Sequence, residues 1–193
     1  MNFFDSAYEE GIPPWDIGRP QKELIRLVED GEINGRVLDT GCGTGENALY
    51  LANLGFETWG IDAAPSAIQK ANEKAKKRGI TVNFLVSDAL KLQLLQNKFD
   101  TIIDCGLFHV FSDEERPIFA ASLSSALYPG GKYFMLCFSE HEPGSYGPRR
   151  VTQAEIRAVF NKGWKINYIR TAEFETKFGV EGVKAWLSSI TRL

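Results

Sequence analysis

Three glycines and one carboxylate stand at a spacing that can hold a nucleotide-like ligand. The stretch VLDTGCGTGEN, residues 37–47, carries Gly41, Gly43 and Gly45. Glycine is needed where a chain turns with positive φ or lets a ligand approach its backbone. Asp62 closes the next apolar run, WGID, roughly twenty residues on, where a carboxylate can accept from both hydroxyls of a ribose. Two ligand classes share that much. A dinucleotide loop runs G-x-G-x-x-G/A, and its last small residue lets the helix pack closely on the sheet. Here Glu46 holds that place, bulky and charged, and Asp39 adds a carboxylate ahead of the loop. Negative charge at the loop mouth repels a pyrophosphate and suits an ammonium or sulfonium. The residues therefore favour S-adenosylmethionine over a nicotinamide dinucleotide, which leaves a nicotinamide-dependent oxidoreductase as the competing reading.

These residues need a scaffold, and the chain supplies an alternating one. Short β-branched or aromatic runs (GRVLDTG, FETWGID, ITVNFLVSD, FDTIIDCG, GKYFMLCFS, WKINYIRTAEFE) are separated by amphipathic stretches. QKELIRLVEDG, ENALYLANLG and TQAEIRAVFN read as helices, the last capped by Thr152. APSAIQKANEKAKKRG has Pro65 in its first turn and Gly79 past its end, the asymmetry of a helix. SDEERPIFAASLSSALYPGG predicts a helix entered at Ser112 or Asp113 and ended at Pro129. The tail VKAWLSSITRL is read as an edge strand pairing with WKINYIRTAEFE. RVLD, TIID and YFMLCF are nearly continuous apolar runs, as expected of strands buried on both faces. The expected fold is α/β: a doubly wound, mostly parallel, seven-stranded sheet with helices on both faces.

Taken together, the motifs resemble the class I S-adenosylmethionine-dependent methyltransferases over nearly the whole chain. VLDTGCGTG is similar to that family's first motif, WGID to its second, VSDA (86–89) to its third and FDTIIDCG to its fourth. The resemblance implies that Gly41, Gly43 and Gly45 line the methionine and ribose portion, and that Asp62 and Ala63 hold the ribose. It further implies that Asp39 belongs to the cofactor site, that Asp88 and Ala89 contact adenine, and that Cys105 lies beside the cofactor. YEEGIPPWDIGRP, ahead of the first motif, is similar to the same stretch of the thiol, halide and thiopurine methyltransferases. By that likeness Trp15 covers the cofactor and Tyr8 walls the reaction site, so residues 1–20 form a lid segment of a single methyltransferase domain, 1–193. IIDCGLFHVF and EPGSYGPRRVT look closer to microbial relatives that methylate small heterocycles.

Methyl transfer from a sulfonium needs positioning and desolvation more than a strong base. The groups able to orient an acceptor are few. His109 follows the fourth strand and titrates nearest neutrality. His141, Tyr146, Arg149 and Arg150 share the long loop 139–151, read as the substrate-side loop. Asp104 is a base only if it faces the pocket. The acceptor is left open among thiol, halide, and heteroaromatic nitrogen or oxygen, with a non-catalytic cofactor-binding domain as a further alternative.

Composition narrows the partners. With 22 basic against 25 acidic residues the formal net charge is −3, which argues against a nucleic-acid partner. Lys74, Lys76, Lys77 and Arg78 are expected to serve the C-terminal end of a helix dipole rather than a polyphosphate. Cys42, Cys105 and Cys137 are dispersed, which predicts reduced thiols, no metal and a cytoplasmic setting. No apolar run approaches the ~20 residues that span a bilayer. A monomer or weak homodimer acting on a small molecule is expected.

Overall fold

The computed structural model describes residues 3–177 and 182–193. The strands are β1 (Val37–Thr40), β2 (Thr58–Asp62), β3 (Asn83–Val86), β4 (Phe99–Cys105), β5 (Leu127–Phe138), β6 (Trp164–Phe174) and β7 (Val183–Arg192). The helices are α1 (Phe3–Glu10), α2 (Lys22–Glu29), α3 (Glu46–Asn53), α4 (Pro65–Arg78), α5 (Glu115–Ala126) and α6 (Gln153–Val159), with 3-10 segments at Ala89–Leu95 and Phe108–Val110. The seven strands form one sheet in the order β3-β2-β1-β4-β5-β7-β6. Strands β1 to β5 run parallel, and β7 is antiparallel to both β5 and β6.

The apolar runs are buried on both faces, as their composition requires. All four residues of β1 are buried. Successive residues point to opposite sides of the sheet, so Ile102 and Met135 pack with Phe119, Leu123 and Phe160 on one side. Ile103, Phe134 and Leu136 pack with Leu24 and Leu27 of α2 on the other.

Helix ends follow local chemistry. In α4, Pro65 sits in the first turn and Gly79 takes the left-handed cap at φ 66°. In α6, Thr152 and Glu155 form a reciprocal capping box. Before α5 the Ser112 hydroxyl accepts from the Glu115 N–H, and the Glu115 carboxylate accepts from the Ser112 N–H.

Three expectations change. The α5 helix ends at Ala126, and β5 begins at Leu127, so Pro129 lies inside a strand rather than stopping a helix. A residue before proline is driven towards extended backbone, and the strand starts accordingly with a register shift beside Phe99. β3 is confined to Asn83–Val86, shorter than the run ITVNFLVSD. β7 pairs with β6 as expected but is not an edge strand: it lies between β5 and β6. Its burial fits, because Leu187, Ser188, Ser189 and Ile190 are all shielded.

Among the described residues no helix is long and apolar enough to cross a membrane.

Candidate functional site

The loops after β1, β2, β3, β4 and β5 all leave the carboxyl edge of the sheet, where open α/β sheets bind ligands. There they enclose a cavity of about 1110 Å³ lined by Gly41, Gly43, Asp62, Asp88, Cys105 and Phe138, among others. Single-ligand pockets run roughly 300–1,000 Å³, so this one has room for a cofactor and an acceptor together.

The glycine loop is shaped by its neighbours. Gly43 has φ 53°, and a Cβ there would lie 2.6 Å from the Tyr8 hydroxyl oxygen. Gly45 has φ 83°, and its Cβ would meet the Phe84 ring at 2.5 Å. Gly41 and Gly43 line the cavity, whereas Gly45 faces the packing between β3 and α4. Glu46 borders the cavity but is paired with α4: Lys74 Nζ lies 2.8 Å from it, and Arg78 donates to both its oxygens at 2.8 Å. Two residues of the basic cluster are thereby engaged in ion pairs with α3.

Asp62 lines the cavity and also holds the loop. Its Oδ2 accepts from the Gly43 N–H and its Oδ1 from the Ala64 N–H, both at 2.9 Å. Burial raises its pKa, and those backbone bonds pull the other way. The Ala63 N–H bonds the carboxylate as well, which leaves about one of its roughly four acceptor directions for a ligand hydroxyl. Ala63 lines the cavity beside it. Asp88 accepts from the Leu90 N–H at 2.9 Å, and Ala89 follows it into the wall. Asp39 is 1% exposed and lies behind the loop rather than on the cavity surface. One of its carboxylate oxygens has no hydrogen-bond partner. Burial, with Asp104 and Asp62 nearby, drives its pKa well up. Together the acceptor capacity left on Asp62 and the cavity's volume fit a cofactor with ribose hydroxyls. Asp39, buried behind the loop with its pKa driven up, neither touches that space nor lends it charge, contrary to expectation.

The N-terminal segment closes this space. Tyr8 is buried, and its hydroxyl accepts from Trp15 Nε1 at 2.9 Å while the two rings meet edge to face. Helix α1 is docked on α4: Asp5 accepts from the Ser66 N–H and hydroxyl, and Lys70 donates to the Gly11 carbonyl at 2.9 Å. Asp16 accepts from the Thr44 hydroxyl at 2.8 Å, tying the segment to the glycine loop. Arg19 makes a bidentate pair with Glu175, and the Lys177 N–H donates to the Pro14 carbonyl. Burial raises the Tyr8 pKa, with Asp62 adding to it, so the hydroxyl stays protonated.

His109 lines the cavity but is set as a structural ring. Its Nδ1 accepts from the Phe138 N–H at 3.1 Å, and the ring also hydrogen-bonds the Gly106 backbone. Burial lowers its pKa to about 3. It is neutral at working pH with its Nδ1 lone pair already taken, which corrects the expectation that it offers a base. Asp104 is also disposed of: it is buried and accepts from the Leu107 and Phe108 N–H groups and the Tyr133 hydroxyl. Burial pushes its pKa to about 7, but it does not line the cavity. Cys105 does line it, with its thiol pKa pushed well up by burial and by Asp39 and Asp104.

The loop after β5 divides. Tyr146 reaches the cavity, its hydroxyl donating to Glu142 Oε1 at 2.5 Å. His141 packs edge-on against Trp186, and Arg149 pairs with Asp113 at 2.9 Å and Glu155 at 2.8 Å. Neither of these two lines the cavity, contrary to expectation. The structure adds Asp16, Asn47, Leu107, Phe111, Glu115 and Phe174 to the wall. Among the described residues no group of three His, Cys, Asp or Glu could hold a metal ion.

Known proteins carry the same architecture. A family model described as a methyltransferase domain matches residues 37–131. The 2-heptyl-1-hydroxyquinolin-4(1H)-one methyltransferase of Mycobacteroides abscessus is 42% identical over 182 residues, covering 89% of this chain and 80% of that one. A probable thiol methyltransferase 2 of Arabidopsis thaliana is 31% identical, covering 81% of this chain and 70% of that one. A solved structure described under the conversion of a disulfide bond into a thioacetal group during echinomycin biosynthesis superposes with a TM-score of 0.89 at 34% identity, over 98% of this chain and 90% of that one. With these relatives, this sheet order and this glycine loop, the chain belongs to the S-adenosylmethionine-dependent methyltransferases of class I fold.

Proposed function

We propose that the protein methylates a small, largely apolar acceptor through a heteroatom that ionises readily, a heteroaromatic hydroxyl of the hydroxyquinolone kind. S-adenosylmethionine supplies the electrophilic methyl group on its sulfonium. In this reading Asp62 accepts from a ribose hydroxyl, Ala63, Asp88 and Ala89 border the adenosine, and Gly41 and Gly43 let the ligand lie against bare backbone. Residues 1–20 act as a lid in which Trp15 shields the site from water and holds Tyr8 over Gly43. The Tyr8 hydroxyl accepts from Trp15, and its own proton remains to orient an anionic acceptor.

The observation that carries the acceptor class is the wall itself. Leu107, Val110, Phe111, Phe138, Phe174 and Val183 line one cavity with a neutral His109 whose Nδ1 already accepts from the Phe138 N–H. Apolar walls favour a planar organic body over a hydrated ion. Without a free imidazole lone pair, an acceptor that arrives deprotonated is favoured over an alcohol or protonated amine. In-line positioning and exclusion of water then provide the rate. The M. abscessus relative, named for a hydroxyquinolone, supports this class. A sulfur acceptor is the second reading, favoured by the Arabidopsis relative's name. Steady-state kcat/KM for 1-hydroxyquinolin-4-ones, 8-hydroxyquinoline, thiophenol and iodide separates them. The hydroxyquinolones should lead by at least about tenfold, since a fitted aromatic body contributes more than 1.4 kcal/mol. Iodide or a simple thiol turning over as well as the quinolones would overturn the assignment.

A further inference from the structure

The loop between β5 and α6 forms part of the cavity wall without regular secondary structure of its own, and one guanidinium occupies its centre. Arg150 Nη1 donates to the Tyr146 carbonyl at 2.5 Å and to the Pro148 carbonyl at 2.8 Å. Its Nη2 donates to the Pro143 carbonyl at 3.0 Å, and its Nε to the Glu142 carbonyl at 3.3 Å. The same group lies over two rings, 5.6 Å from the Phe138 centroid and 5.2 Å from that of Tyr146. Phe138, Tyr146, Gly147 and Pro148 all line the cavity. The loop's base is closed by the Ser139–Val151 bridge, and Glu142 fixes its first half by accepting from the Tyr146 hydroxyl and the Lys184 N–H. An arginine with five fixed donors can satisfy four carbonyls at once and still stack, which a lysine cannot do.

We propose that Arg150 is a positioning residue for the methyl acceptor: it winds residues 143–148 around its guanidinium and so sets the width and selectivity of the acceptor end. The proposal rests on reading that end of the cavity as the acceptor site. Arg150 does not itself line the cavity, and it acts through Phe138, Tyr146, Gly147 and Pro148. Its neighbour Arg149 belongs to a different cluster, paired with Asp113 and Glu155.

The test compares the full-length protein with Arg150→Ala and Arg150→Lys. In Arg150→Ala, S-adenosylhomocysteine affinity by calorimetry should stay within about twofold, because the adenosine end is untouched. KM for the best acceptor should rise about tenfold or more with a smaller change in kcat, the pattern of lost ground-state fit. Discrimination between narrow and wide acceptors should fall, and millimolar guanidinium ion should restore part of it. Arg150→Lys should resemble Arg150→Ala. A folded Arg150→Ala with wild-type KM and selectivity overturns the proposal. Should Arg150→Ala fail to fold, wild-type KM and selectivity in Arg150→Lys overturn it instead. Amide exchange at Glu140, Glu142 and Val151, whose N–H groups are bonded at the loop's base, in the S-adenosylhomocysteine complex, serves even where no acceptor turns over. Faster exchange confined to the loop supports the role of Arg150, and unchanged protection contradicts it. The absence of turnover in the unaltered protein would count against the acceptor reading alone.

Discussion

Replacing Asp62 by alanine asks most of the cofactor site. Each oxygen of that carboxylate already accepts one loop N–H at 2.9 Å, from Gly43 and Ala64. The Ala63 N–H bonds the carboxylate too, so about one acceptor direction is left for a ribose hydroxyl. Hydrogen bonds to a charged group contribute about 1.5–3 kcal/mol each. Water can enter the space left by the side chain, so the contact is taken at no more than the value of a single bond. The expected loss is about 1.5–3 kcal/mol, roughly a 10- to 150-fold weaker Kd. Calorimetric titration with S-adenosylhomocysteine measures it directly, with circular dichroism to show that the variant is folded. Because the Gly43 N–H also loses its acceptor, a modest fall in Tm should accompany the weaker binding. A folded Asp62→Ala with wild-type affinity would refute the assignment, leaving Asp62 as a brace for the glycine loop and for the turn into α4.

Other consequences are measurable. Gly43→Ala places a Cβ 2.6 Å from the Tyr8 hydroxyl at φ 53°; the left-handed backbone alone costs about 1–2 kcal/mol, so thermal unfolding should shift down by several degrees, and an unchanged Tm would contradict the close approach. His109 is held neutral, its pKa lowered from 6.5 to about 3. The unfolded chain binds the extra proton between those values, so its contribution is full above pH 6.5 and lost as pH falls towards 3. The stability advantage of the wild type over His109→Gln, from urea unfolding, should therefore shrink between pH 7 and pH 4; a pH-independent difference would show that the ring titrates normally. Deleting residues 1–18 removes Tyr8, Trp15 and the Asp16–Thr44 bond but leaves the sheet intact. The remainder should fold and lose roughly one to two orders of magnitude in kcat/KM through water entry and lost positioning; full activity would make the segment a tail.

The sheet was legible in the sequence where burial dictates composition. β1, β4 and β5 are shielded on both faces and so read as continuous apolar runs. The place of β7 was not legible, because insertion between β5 and β6 is a long-range pairing with no local signal. Helix α1 was equally hidden. It is short, and its order depends on docking to α4 through Asp5, Ser66 and Lys70 rather than on propensity. In the site, the glycine loop was legible because positive-φ turns restrict residue type, and Asp62 does come to the same cavity beside it. Arg149 and Arg150 are adjacent and chemically alike, yet one pairs with carboxylates outside the cavity and the other organises its wall. His109 shows the same limit, since only the fold reveals that the Phe138 N–H occupies its Nδ1. Phe174 reaches the cavity from β6, far along the chain from the glycine loop.

The central claim is a single transfer of an intact methyl group to a small apolar acceptor. Its most direct test is product mass spectrometry after incubating the full chain with trideuteromethyl-labelled S-adenosylmethionine and a 1-hydroxyquinolin-4-one. The account predicts a product carrying the whole labelled methyl group on the hydroxyl oxygen, formed one-to-one with S-adenosylhomocysteine. S-adenosylhomocysteine appearing without a labelled product, or the label appearing only on iodide or a simple thiol offered alongside, would contradict it.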